Sequence, residues 1–263
     1  MISPRGRGWL PDPDKGPGER QDLDAREVLR AVRMPYSASV QEHTLILDQG
    51  SKGTCAANAV AQTVRVSHRR QGVLEPEFLS RLAVYFFSRA HHGTTHEDSG
   101  TFLRTCYSAL AKVGFCPERL WSYDDGPDKF RKMPSFEAMH AAHDQRSPTV
   151  YRRIGSYGGA RIDEIKQALA AGYAIAFGTE VSESFCANDD VIAPLRPPPA
   201  PTGFGHAMTI VGYEGQVFTI ANSWGTDWGD HGYCRFTDEY LAWPATRDLW
   251  LVEHAPVYSE VRP

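Results

Sequence analysis

The chain has 263 residues, 41% hydrophobic and 11% aromatic, enough to bury a full core as one large domain or two tightly packed lobes. Its formal net charge of -4 comes from scattered charges, without the gathered basic face of a nucleic-acid binder. No run approaches the roughly 20 apolar residues that span a bilayer, so neither nucleic acid nor membrane is an expected partner.

The first residues, MISPRGRGWLPDPDKGPGERQD, lack the apolar region of a signal peptide, so a cytoplasmic location is the default expectation and a specialised secretion route stays open. Residues 1 to about 36 are rich in Pro, Gly and charge, with Trp9 and Leu10 as the strong apolar anchors ahead of DAREVLRAV, a short segment of helical spacing. This is an arm rather than a domain, too short and too Pro-rich to fold alone. Trp9 and Leu10 are expected to dock onto the body, either stapling its lobes or lying as a lid across a cleft. Residues 37 to 258 form the body and 259 to 263 a tail.

From Thr54 the pattern turns helical. CAANAVAQTVRVSHRR places Ala57, Val60, Ala61 and Val64 on one face, with Thr54 as N-cap, so Cys55 opens a helix. Further helices are expected at EPEFLSRLAVYFFSRA, at SGTFLRTCYSALAKVG closed by Gly114, and at RIDEIKQALAAG closed by Gly172. Tyr85, Phe86 and Phe87 read as core residues of the first of these. After Gly172, YAIAFGTEV, HAMTIVGYEG, QVFTIANSW, GYCRFTD and RDLWLVEH are short branched and aromatic runs between turns, hence strands. The Pro-rich run APLRPPPAPTGFG before His206 reads as a rigid surface loop or the rim of a cleft. Helices first and an antiparallel sheet later give an α+β fold whose two layers face each other across a cleft.

Cys55, Cys106, Cys116, Cys186 and Cys234 are odd in number, irregularly spaced and without a C-x-x-C pair, so no disulfide framework is indicated and four of them read as small buried side chains. Cys55 differs because the positive end of a helix dipole and its unpaired N–H groups favour thiolate. His206 and Asn222 lie at the ends of predicted strands, where a rigid scaffold can point polar side chains into a cleft. His91, His92 and His96 in HHGTTHED fit no standard metal spacing and read as a solvated loop, so no metal and no other cofactor is expected. Asp98 reads as a helix cap, with positioning of Gly100 as the alternative.

Three blocks, in order, resemble the papain-like cysteine peptidases: Gln49-Gly50 with Gly53-Thr54-Cys55; His206-Ala207 with Val211-Gly212-Tyr213; and Asn222-Ser223-Trp224-Gly225 with Trp228-Gly229, Gly232-Tyr233 and Arg235. The resemblance runs from about residue 37 to 254 and implies the papain-like two-lobed fold. It also implies a peptide or protein substrate cut through a thioester, with Cys55 as nucleophile, His206 as base and acid, Asn222 orienting the ring, Trp224 shielding it, and Gln49 donating to the oxyanion. Lys52 and Ala56 depart from the pattern, which usually has a disulfide cysteine and a tryptophan there. The paired glycines that bind extended substrate are reduced to Ser99-Gly100. By the same resemblance Ser99, Gly100, Thr101, Phe102, Phe204 and Gly205 are substrate-binding, and Thr101, Phe102 and Phe204 line a shallow apolar pocket for a medium-sized aliphatic or small aromatic side chain. Two other functions fit the same residues: a Cys-dependent acyl transferase, deamidase or peptide cyclase, and a catalytically silent peptide-binding module. No oligomeric state is implied.

Overall fold

The computed structural model describes residues 8–15, 22–30, 32–124, 126–144, 149–187 and 191–258; the expected tail lies outside them. Arm residues Trp9–Leu10 form a short strand, β1, and Arg26–Leu29 a single helical turn, α1, where DAREVLRAV has its helical spacing. Strand β2 is Ser37–Ser39.

Helix α2, Cys55–Arg70, runs through the centre of the molecule, and its buried residues extend around the helix from Cys55 to His68. A helix buried all round needs small side chains where it crosses a sheet and a partner for each buried polar group. Ala56, Ala57, Ala59 and Ala61 supply the first. For the second, Asn58 Nδ2 donates to Thr54 O at 2.9 Å, Thr63 Oγ1 to Val60 O at 2.8 Å, and His68 Nε2 lies 2.9 Å from Pro256 O. Thr54 is the N-cap residue but makes no side-chain cap; its hydroxyl lies 2.7 Å from that of Tyr123 instead.

Helix α3, Arg81–Ala90, is capped by Ser80, and α4, Leu103–Val113, closes on Gly114 at φ 100 after the two-residue strand β3, Thr101–Phe102. Tyr85 is fully buried as expected, while Phe86 and Phe87 are only partly so. Helix α5, Phe136–Asp144, and strand β4, Val150–Ile154, precede α6, Gly158–Ala170.

The five expected strands are present as β5, Ile175–Glu180; β6, Gly205–Glu214; β7, Val217–Ala221; β8, Tyr233–Thr237; and β9, Arg247–His254. Short helices α7, Glu183–Ala187, and α8, Asp238–Ala242, interrupt them. All pairings in the seven-stranded sheet are antiparallel, in the order β4-β9-β5-β6-β7-β8, with β2 on β6. One apolar cluster joins α6 to the sheet; the other joins α2, α3 and α4 to β5, β6 and β9, and includes Trp9 and Cys55. The helical and sheet layers of this α+β fold meet where α2 begins.

Candidate active site

Cys55 begins α2 on a polar lattice that fixes the preceding loop. Arg81 is the hub: its guanidinium pairs with Glu118 at 2.7 Å, donates to Asn58 Oδ1 at 3.0 Å and to Asp48 O at 3.2 Å, and lies over the Tyr123 ring at 3.9 Å. Tyr123 OH in turn donates to Gln49 O at 2.8 Å. Fork-shaped guanidinium donors bonded to several partners hold a loop better than any single contact. Gln49 is fully buried; its Nε2 donates to Lys52 O at 2.7 Å and its Oε1 accepts from Ser223 Oγ at 2.6 Å. The helical wall is thereby tied to the sheet wall, a join repeated by Gln49 N to Ser223 O at 2.9 Å and Gly225 N to Leu47 O at 3.0 Å.

On the sheet wall His206 lies on β6 and Asn222 just beyond β7, and His206 Nε2 is 2.8 Å from Asn222 Oδ1. The Ser223 backbone N–H lies 2.8 Å from that same Oδ1. An N–H can only donate, so this atom is the amide oxygen, and His206 Nε2 therefore carries the proton. Nδ1 is then the ring nitrogen able to accept one. Trp224 stacks on the imidazole with centroids 4.5 Å apart, and Phe185 and Trp228 pack against Trp224 in turn. His206, Asn222 and Trp224 are all buried, so the Nε2–H···Oδ1 bond lies in a dry, low-dielectric setting that strengthens it.

The arm crosses between these walls. Gly8 O accepts from Thr101 N at 2.7 Å, and β1 pairs parallel with β3, Trp9 opposite Thr101 and Leu10 opposite Phe102. The fit is glycine against glycine: a Cβ on Gly8 would fall 2.0 Å from Gly53 O, and one on Gly100 2.1 Å from Gly8 O. Gly100 also sits at φ 74, where side chains are strained. Backbone N–H groups of Ala207, Gly8, Ala56 and Trp9 face the Cys55 sulfur and favour thiolate. Burial outweighs them and pushes the thiol up to about 11. Cys55 is fully buried.

Residues 34–242 match the family described as papain family cysteine protease. The chain belongs to the papain family. An uncharacterized peptidase C1-like protein of Acanthamoeba polyphaga mimivirus is 33% identical over 230 residues, 82% of this chain and 73% of that one. Xylellain, a cysteine protease from Xylella fastidiosa, is similar in structure with a TM-score of 0.82 and 28% identity, covering 96% of this chain and 97% of its own. Digestive procathepsin L 3 of Tenebrio molitor larval midgut shares the fold at 16% identity, with a TM-score of 0.68 over 95% of this chain and 76% of its own.

In this papain-family chain the residues expected to bind substrate separate into two groups. Gly100, Thr101, Gly205 and the Phe102 backbone all touch the arm: Thr101 pairs with Trp9, Phe102 with Leu10, and Gly205 lies against Trp9. Ser99 turns its hydroxyl to Thr94 Oγ1 at 3.1 Å, the Phe102 ring packs on His92 with centroids 4.8 Å apart, and Phe204 packs on the α6 side of the sheet. The Trp9 indole lies against Gly178 and Gly205, in the apolar cluster that also holds Cys55. Gly178 carried no motif, and only the placement of a glycine inside a strand pattern could have marked it. Asp98 is not a helix cap. It accepts from Gly53 N at 3.1 Å and from Tyr85 OH at 2.6 Å, and that hydroxyl accepts from Gly100 N at 3.1 Å, so one carboxylate ties the Cys55 loop to Gly100. His91 and His96 are exposed, His92 lies 3.1 Å from Thr105 Oγ1, and no metal-holding cluster occurs among the described residues. The Pro-rich loop is bound to the sheet, with Thr202 and Gly203 N–H groups on the Glu180 carboxylate. Among the described residues no helix is long and apolar enough to cross a membrane.

Proposed function

We propose that this chain is a cysteine peptidase held latent by its own N-terminal arm. The observation that carries the reading is the pair His206–Asn222, fixed in one tautomer under Trp224, beside a helix N-terminal cysteine whose sulfur faces the N–H of Ala207. With the arm away, His206 Nδ1 takes the Cys55 proton and the sulfur attacks the scissile carbonyl carbon. The oxyanion is met by the Cys55 backbone N–H and the side-chain amide of Gln49. His206 returns the proton to the leaving amine, and water, deprotonated by the same imidazole, hydrolyses the thioester. Asn222 orients the ring throughout, and no metal or cofactor takes part in these steps.

Latency follows from where the arm lies. Gly8 and Trp9 occupy the space beside Cys55 that a peptide must enter, and they present N–H groups to the sulfur where a substrate would present a carbonyl carbon. The test is a quenched peptide library with full-length protein, its Trp9→Ala variant and the double variant Trp9→Ala, Cys55→Ala. Cleavage should be weak in the first, strong in the second and absent in the third. Transfer of the acyl group to an added amine without hydrolysis would replace the peptidase reading by the acyl-transferase one.

A further inference from the structure

We propose that a one-way chain of hydrogen bonds, headed by the Arg81 guanidinium and ending on the Gln49 carbonyl, sets the spacing of the two oxyanion donors, with Tyr123 and Thr54 as positioning residues for the reaction. The inference rests on the peptidase reading above and adds residues that take no part in the steps given there.

The direction of every bond follows from what each group can do. A guanidinium can only donate, so the Asn58 atom 3.0 Å from Arg81 Nη1 is the amide oxygen. Asn58 Nδ2 is then the donor that meets Thr54 O at 2.9 Å and Thr54 Oγ1 at 3.1 Å, one N–H for each. At the far end the Gln49 carbonyl can only accept, so the single hydrogen of the Tyr123 hydroxyl lies toward it, at 2.8 Å. Thr54 Oγ1, 2.7 Å from that hydroxyl, therefore donates to it. The hydrogens point one way, from Arg81 through Asn58, Thr54 and Tyr123 to Gln49, and each hydroxyl accepts one bond from its neighbour and donates one. Bonds aligned head to tail polarise and strengthen one another.

The head of the chain is held as firmly as its tail. Glu118 accepts from Arg81 Nη2 at 2.7 Å and from Nε at 2.9 Å, and the guanidinium covers the Tyr123 ring at 3.9 Å. Gln49, Thr54 and Asn58 are buried, so removing one member leaves its neighbours unpaired away from water. What the chain encloses gives it a consequence for the chemistry. Tyr123 ties Gln49 to Thr54, the two ends of the loop before Cys55, and the oxyanion donors are the Gln49 amide at one end and the Cys55 N–H just past the other. A single phenol oxygen thus sets how far apart the loop ends stand, while Ser223 and Lys52 set the direction of the amide. Donors act on the oxyanion and not on the ground-state carbonyl, so an error in their spacing falls on the transition state. A displacement of about 1 Å can cost on the order of a hundredfold in rate.

The experiment uses the full-length Trp9→Ala chain as parent and a fluorogenic peptide with an amide-linked reporter. Tyr123→Phe should lower kcat about tenfold to a hundredfold and leave KM within about twofold. Alkylation of Cys55 by iodoacetamide, which develops no oxyanion, should stay within about twofold of the parent. Thr54→Val should match Tyr123→Phe, and Thr54→Ser, which keeps the hydroxyl, should recover most of that loss. The readout that a merely structural bond would not move is a double-mutant cycle with Gln49→Ala: once the amide is gone, Tyr123→Phe should cost less than about threefold. An undiminished kcat in Tyr123→Phe, the same loss with and without the Gln49 side chain, or alkylation slowed as much as turnover overturns the proposal. Full turnover in Thr54→Val overturns it independently of Tyr123. A parent chain alkylated at Cys55 that cleaves nothing removes the peptidase reading instead, and the positioning roles fall with it.

Discussion

Cys55 and His206 sit on opposite walls of one cleft and owe their states to different kinds of neighbour. The imidazole is set by residues built into the sheet: Asn222 at 2.8 Å, Trp224 stacked at 4.5 Å, and Phe185 and Trp228 behind them. The thiol is set in part by Gly8 and Trp9, an arm segment packed beside it through non-bonded contacts. The imidazole is held by the sheet itself, whereas the surroundings of the thiol include the arm. On the proposed reading, moving one short strand changes the protonation and access of the sulfur and leaves the orientation of the imidazole untouched.

The largest effects should come from breaking the sheet-held side. In the Trp9→Ala background, His206→Ala should lower kcat about 10^6-fold and Asn222→Ala roughly 10^2-fold less severely, as when the orienting member of a triad is removed rather than the base. Single-turnover kinetics with a chromogenic ester would show it, and equal losses for the two variants would mean that Asn222 does more than orient.

The arm-covered side should respond to pH through the arm's anchor. Asp12 N donates to Asp248 Oδ2 at 2.7 Å; Asp12 Oδ2 accepts from Trp250 Nε1 at 3.0 Å, and Asp248 Oδ1 from Arg153 at 3.0 Å. Arg104 and Lys15 face the same cluster through Asp22, at 3.0 and 2.7 Å. Burial raises Asp12, and burial with the neighbouring Asp12 pushes Asp248 up from 3.8 to about 7. Their docked values are raised, so docking takes up protons. Its contribution is complete below the free carboxylate value and is lost as pH rises through the docked one. Arm affinity should fall by up to about tenfold per pH unit between about pH 4 and 7. Asp248→Asn, tolerated at φ 56, should flatten the slope. Protection of Cys55 from the epoxysuccinyl probe against pH reads this out, and an unchanged slope in the variant would move the origin elsewhere.

A smaller effect is expected where the two walls of the arm site are joined. Tyr85→Phe deletes a hydroxyl that donates to Asp98 and accepts from Gly100, leaving a buried N–H unpaired at a cost of about 1 to 3 kcal/mol. Thermal unfolding would register that loss, together with weaker docking of the arm against Gly100.

Sequence legibility followed the same division. The helix from Cys55, the five strands and the His206–Asn222–Trp224 set were readable because each rests on local periodicity or on one ordered motif. Strands Trp9–Leu10, Ser37–Ser39 and Val150–Ile154 escaped because they are short or exist only through distant pairing. Asp98 was mistaken for a cap because its partners, Gly53 and Tyr85, lie 45 and 13 residues away. Gly178 was silent because the space a glycine leaves has meaning only when the side chain filling it, 169 positions earlier by number (178 less 9), is known to be there.

The central claim, that the arm holds Cys55 protonated and covered, is tested most directly by the pH profile of Cys55 alkylation by iodoacetamide in the full-length protein and in Trp9→Ala, with the adduct mapped by mass spectrometry. The account predicts slow modification of the full-length chain at neutral pH, rising only toward the alkaline value of about 11. For Trp9→Ala it predicts fast modification that has already levelled off in mildly acid solution, as for a thiolate paired with His206. Superimposable profiles for the two proteins would contradict it.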